Sequence, residues 1–231
     1  MNVKFKNKST VIMFLIPVMI LLMMVCLVSA QAIYKGVPDK IDKKAGYLFY
    51  LHGRIVEIKG PQAVSVKYGA YEYEKILEAL KNKGFIVISE AREQGTSVGQ
   101  YAGKVASQVT ALLEAGVPAG SITVVGASKG ALIAMQTSTM LANKEINYVI
   151  LAGCADAIFH RFDIDLYGNI LSIYDEKDEL VGSCQKFIEK SSGVNKFKEI
   201  KLKVGTGHGI LYKPLKEWID PAANWAKGAD K

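Results

Sequence analysis

Residues 122–133 read Ile-Thr-Val-Val-Gly126-Ala-Ser128-Lys-Gly130-Ala-Leu-Ile, and no other stretch restricts the architecture of this chain so strongly. A β-branched apolar run reaches a glycine, turns through one serine, meets a second glycine and continues in residues that favour helix. The pattern predicts a strand, a sharp turn with a hydroxyl at its tip, and a helix. In such a turn the serine backbone is strained and the adjoining strand and helix crowd it. The positions two before and two after the serine must therefore be small. An ordinary strand-to-helix turn with a capping serine shares this pattern, so the rest of the chain has to decide between the two.

That chain alternates strand-like and helix-like segments. Tyr47–Leu51, Phe85–Ser89, 121–125, Ile146–Leu151 and Asn169–Tyr174 are apolar runs without polar alternation, as expected of parallel strands buried on both faces. Between and after them, 72–82, 98–115, 130–142, 180–190 and 214–225 have helical character. Phe197–Val204 alternates apolar and charged residues, which predicts a half-exposed strand near an edge. Residues 31–46 are polar and broken and have room for one poor edge strand. Residues 55–69, with Pro61, and 157–168 read as loops. The order predicts one doubly wound, mainly parallel sheet with helices on both faces.

The N-terminus is of another kind. Lys4, Lys6 and Lys8 precede an almost wholly apolar run from Val11 to Val28, and Val28-Ser29-Ala30 supplies small residues where a signal peptidase cuts. Residues 1–30 thus read as a secretory signal peptide, or as an uncleaved N-terminal membrane anchor given the length of the apolar run. Residues 31–231 are then one domain, large enough for a sizeable core. The formal charge is +7, three of it from the leader lysines. The remaining lysines are spread along the chain, as on a solvated surface rather than a nucleic-acid footprint. Three histidines and no Cys-x-x-Cys pattern leave little from which to build a zinc site, so no metal is expected. Beyond Cys26 of the leader there are two cysteines, Cys154 and Cys184. They follow adjacent predicted strands and form a candidate disulfide in an oxidising compartment.

In a doubly wound sheet, function collects at the C-terminal ends of the strands. Those ends carry His52-Gly53, Glu90–Arg92, Ser128, Asp156, Asp175 and Asp178, and His208. A serine hydroxyl needs an imidazole base held by a carboxylate before it can attack a carbonyl. The chain order of serine, carboxylate and histidine matches one of the known arrangements of such a triad. Gly126–Gly130 lacks the spacing of a dinucleotide turn and the Lys-Ser/Thr ending of a phosphate loop, which argues against a nucleotide site.

On Tyr50-Leu51-His52-Gly53, Gly126-Ala-Ser128-Lys-Gly130, Tyr174-Asp-Glu-Lys-Asp178 and Gly205-Thr-Gly-His208-Gly209, the sequence resembles the α/β-hydrolase superfamily over about residues 45–228. The likeness is to small, capless, exported members of the dienelactone-hydrolase and esterase-like kind, with abbreviated N-terminal strands and no lid domain. It implies a serine hydrolase with Ser128 as nucleophile, His208 as base and Asp178 as the orienting acid. Asp175 stands where the family pattern often has glycine, and is either the alternative acid or the cap of that turn. The family also implies two backbone oxyanion donors, placed here at Lys129 and Arg54, with His52 bracing the oxyanion loop.

His52, Arg92 and His160 are candidates for a substrate rim, and the Lys129 charge beside the pocket would favour an acidic substrate. Tyr68, Tyr71 and Tyr73 are either rim or packing residues. Only 17 residues, Ala152–Gly168, stand where larger relatives insert a lid. The expected site is open, suited to short or polymer-borne acyl groups, and needs no cofactor. The rival readings are an exported, non-catalytic binding protein on this fold, or an amidase, peptidase, thioesterase or acyltransferase using the same triad.

Overall fold

The structure is a computed structural model that describes residues 32–229; the leader expected over 1–30 lies outside them. In chain order the strands and helices are β1 Ile33–Tyr34, β2 Gly46–Leu51, α1 Arg54–Lys59, β3 Val64–Ser65, β4 Gly69–Ala70, α2 Tyr73–Asn82, β5 Phe85–Ile88, α3 Val98–Glu114, β6 Ile122–Ala127, α4 Lys129–Leu141, β7 Asn147–Leu151, α5 Asp156–Arg161, β8 Tyr167–Asp175, α6 Gln185–Lys190, β9 Gly193–Leu202 and α7 Lys216–Ala226. Two 3-10 turns span Ala119–Ser121 and Gly207–Tyr212.

Seven strands form one parallel sheet in the order β1-β5-β2-β6-β7-β8-β9. Strand β2 shows why the buried strands read as unbroken apolar runs. Tyr47, Phe49 and Leu51 pack into the core beneath α3 and α4, whereas Leu48 and Tyr50 pack into the core beneath α2 and α7. Each face has its own apolar layer, so neither alternate set of side chains reaches water. Trp218 and Trp225 on α7 are essentially inaccessible and anchor the second layer. At the far edge, β9 alternates as its sequence predicts and carries Lys196, Lys198 and Lys201, a composition that discourages pairing with another chain.

The connection from β2 runs to β5 on one side, and β6 returns to the other side of β2. Neighbouring loops diverge where the order reverses, opening a crevice at the C-terminal ends of β2 and β6. That is where the site lies.

Several segments differ from the elements expected of the sequence; the helix expected over 180–190 begins only at Gln185. Residues 54–59 form a short helix and 64–70 a small hairpin, where a loop is expected; 156–161 form another short helix. Six residues are under two helical turns, too few for periodicity to register. The predicted histidine loop is a buried 3-10 turn.

A disulfide joins Cys154, just past β7, to Cys184 at the start of α6. Both cysteines are buried, and they close a loop with a separation of 30 residues. Thiol titration of the folded, unreduced protein without its first 30 residues should find no free thiol. Replacing both cysteines by serine should lower the unfolding free energy by about 3–4 kcal/mol, the chain-entropy value for a loop of this size, as read from urea denaturation.

Candidate active site

The serine turn is built by crowding. A Cβ on Gly126 would lie 2.3 Å from the Gly130 carbonyl oxygen, and one on Gly130 would lie 1.9 Å from that of Leu51. The first turn of α4 therefore presses against both β6 and the end of β2, and only glycine fits at either contact. Ser128 sits between them with φ 52° and ψ −115°, a conformation L-residues rarely adopt. Its amide is tied to the Leu151 carbonyl at the end of β7 at 3.0 Å. The hydroxyl is left at the head of the crevice.

His208 Nε2 stands 2.9 Å from Ser128 Oγ, and His208 Nδ1 stands 2.8 Å from Asp178 Oδ2. The Asp178 carboxylate is fully buried, and its other oxygen accepts the Leu180 amide at 2.9 Å. Serine, histidine and aspartate thus form one continuous relay. Asp178 is the orienting acid.

Asp175 does different work. Its carboxylate accepts backbone N–H groups from Lys177, Val204, Gly205 and Gly207, all within 3.0 Å. Burial opposes its charge, but these four donors outweigh that and hold its pKa below the usual carboxylate range. One side chain thereby fastens the acid loop to the histidine loop. Gly207 completes the contact: its φ is +54°, and a Cβ there would lie 2.7 Å from the Lys177 carbonyl.

His52 is fully buried beneath the crevice, not on its rim. Its Nε2 accepts the Arg92 amide at 2.8 Å, which fixes the proton on Nδ1, where it is donated to the Gly53 carbonyl at 2.8 Å. Burial, then the Arg92 guanidinium, pushes its pKa down to about 3. The Gly53 amide is held from the other side by the Tyr71 hydroxyl at 3.2 Å, itself 2.7 Å from the Tyr50 hydroxyl. In a trans peptide C=O and N–H point opposite ways. Holding the Gly53 carbonyl therefore also aims the Arg54 amide.

Arg92 is likewise no rim residue. Its side chain is inaccessible, with Nε 2.8 Å from Glu57 Oε1 and one terminal nitrogen donating to the His52 carbonyl. The other Glu57 oxygen takes the Lys129 ammonium, which also donates to the Thr96 carbonyl at 2.7 Å. The Lys129 ammonium is thus tied down by Glu57 and the Thr96 carbonyl rather than free to reach a substrate. His160 lies on the exposed side of α5, edge-on to Phe159. Its neighbours Arg161 and Phe162 line the crevice in its place. Tyr71 and Tyr73 are core residues, whereas Tyr68 is half-buried with its ring 6.4 Å from that of His208.

The crevice is a cavity of about 580 Å³ beside Ser128, with Lys129, Leu132, Ile158, Phe162 and Val181 among its walls. Among the described residues there is no cluster of three His, Cys, Asp or Glu side chains able to hold a metal.

Two outcomes are expected. Glu57→Gln leaves Arg92 and Lys129 without their shared counter-charge and should cost about 3–5 kcal/mol in urea denaturation. The depressed His52 pKa means that its stabilising contribution is complete above its unfolded value of about 6.5. The contribution drains as pH falls toward 3, because the unfolded chain takes up a proton that the folded one refuses. The stability of wild type should therefore fall more steeply over that interval than that of His52→Gln; equal slopes would mean that His52 titrates freely.

No family model matches the chain, and no curated protein matches it in sequence. Solved structures do match. SOBER1 of Arabidopsis thaliana aligns with a TM-score of 0.53 at 14% identity, covering 80% of this chain and 99% of that one. A lidless α/β serine hydrolase from Xanthomonas campestris aligns at 0.50 and 15% identity, covering 84% of each chain. The 2,6-dihydroxy-pseudo-oxynicotine hydrolase aligns at 0.54 and 12% identity, covering 84% of this chain and 64% of that one. With the sheet order, the serine elbow and, among the described residues, no large lid insertion, these matches show that the chain has the α/β-hydrolase fold.

Proposed function

We propose that this protein is a carboxylic ester hydrolase of short acyl groups, working through an acyl-enzyme. The observation that carries this reading is the unbroken relay from Ser128 Oγ through His208 to the buried Asp178 carboxylate. His208 takes the serine proton as the hydroxyl attacks the acyl carbonyl, and Asp178 stabilises the imidazolium that forms. The same imidazolium gives its proton to the departing alcohol. Water, activated by His208, then attacks the acyl-serine, and the acid leaves with Ser128 restored.

The oxyanion formed in each step is assigned to the amides of Lys129 and Arg54. Each is the first residue of its helix, so its N–H has no intrahelical acceptor. Arg54 is aimed by the peptide that His52 and Tyr71 hold, and Lys129 by the strained elbow. One such donor is worth about 3 kcal/mol of transition-state stabilisation.

The six-residue α5 and its flanking loops occupy the place of a lid, which supports small or surface-presented acyl groups over long buried ones. Export is part of the same reading. The basic, apolar and small-residue leader argues for it, and a buried disulfide fits an oxidising compartment.

A fluorophosphonate probe should label the protein, and labelling should vanish in Ser128→Ala. With p-nitrophenyl esters of increasing acyl length, turnover should be highest for short chains. Ser128→Ala and His208→Ala should each lower kcat by about 10⁶, and Asp178→Asn by about 10⁴. A well-folded protein that the probe leaves untouched would be a binding protein on this fold.

A further inference from the structure

The walls of the crevice indicate which acyl groups it takes. His208 must hand its proton to the leaving group, so the alcohol departs on the His208 side. The crevice beside Ser128 is walled by both assigned oxyanion donors and not by His208. It is therefore the acyl side. Leu132, Ile158, Phe162 and Val181 make it apolar, and Arg54 and Arg161 stand on its walls from α1 and α5.

These two arginines differ from the other cations nearby. The Lys129 ammonium is matched by Glu57 and the Thr96 carbonyl, and Arg92 is sealed beneath by the same Glu57. Arg54 and Arg161 are exposed, and among the described residues neither has a carboxylate or a hydrogen-bond acceptor. Arg161 is held at the wall by its own neighbour, its guanidinium 5.7 Å from the centre of the Phe162 ring. Among the described residues Glu57 is the one acid on these walls, and Arg92 and Lys129 already share it. An apolar pocket with two unmatched arginines on its walls suits a chain that is hydrocarbon in the middle and anionic at its end.

Building on the hydrolase reading, we propose that the crevice selects acyl groups ending in a carboxylate, half-esters of short dicarboxylic acids, with Arg54 and Arg161 as the specificity residues. The test compares two esters of equal chain length, mono-p-nitrophenyl adipate and p-nitrophenyl hexanoate, in the full-length protein. A p-nitrophenyl 6-aminohexanoate arm carries the opposite charge.

At low salt, kcat/KM for the adipate should exceed that for the hexanoate by about tenfold, a difference of about 1.4 kcal/mol. The aminohexanoate should be the poorest of the three, and the adipate advantage should shrink as salt is raised. The ratio of the two kcat/KM values is the quantity to follow, because general damage to catalysis cancels in it. Arg54→Gln and Arg161→Gln should each lower the ratio several-fold, and the double variant should bring it to one or below. Preference for the hexanoate in wild type, or a ratio unchanged in the double variant, overturns the proposal while the hydrolase reading stands. If no ester is turned over and the fluorophosphonate does not react, both fall together.

Discussion

The close approach of three backbones at the head of the crevice is the constraint on which the rest of the site depends. Gly130 rests against the Leu51 carbonyl at the end of β2, and Gly126 lies beneath the Gly130 carbonyl of α4. Because these are backbone contacts, no rotamer change can relax them. The start of α4 and the loop after β2 are consequently fixed relative to each other. Ser128 and the Lys129 amide belong to one of those segments, and Gly53 with the Arg54 amide to the other. A nucleophile and two proposed oxyanion donors held this way would need no reorganisation when charge develops, which makes fixed dipoles effective in catalysis. The strain at Ser128 is sustained by the same contacts.

Two carboxylates three residues apart, Asp175 and Asp178, serve opposite ends of this arrangement. Asp178 gives one oxygen to the imidazole and the other to a single amide. Asp175 spends both oxygens on four amides, two of them in the turn that leads directly to His208. Charge-assisted bonds to backbone donors are directional and short, so Asp175 sets the separation of the two loops and Asp178 then finds the imidazole within reach. The disulfide adds a covalent tie from the end of β7 to the segment that follows the acid loop. The acid is thus held from the sheet side by Asp175 and from the outer side by Cys154–Cys184.

The parts of this architecture that the sequence makes legible are those that local physics dictates. Apolar strands between amphipathic helices give the sheet, and the small residues around Ser128 report the crowding. The spacing of Ser128, Asp178 and His208 places all three at strand ends. What stays hidden depends on partners distant in the chain. Glu57 sits in a stretch without visible period, and nothing local marks it as the shared counter-ion of Arg92 and Lys129, 35 and 72 residues away. Tyr71 looks like any packing aromatic until Gly53 is placed against its hydroxyl. His52 and Arg92 end apolar strands and read as rim groups, because a strand end is exposed in most sheets. Here Glu57 of α1, a helix too short to be seen in the sequence, holds Arg92, and Arg92 with Tyr73 of α2 packs against His52.

The buried ionic cluster is better explained by geometry than by stability. Desolvating a guanidinium, an ammonium and a carboxylate offsets much of their mutual attraction, and well-packed apolar residues of similar volume would often be as stable. Apolar residues could not donate to the His52 carbonyl, however, nor anchor the side chain of the residue whose amide opens α4. Glu57 lies three positions after Arg54 on α1 and grips Lys129 at the start of α4, so it bridges the two segments that carry the proposed oxyanion donors. The crowded glycines limit how close those segments come. Glu57 limits how far apart they drift, and between the two limits the mouth of the crevice keeps one width.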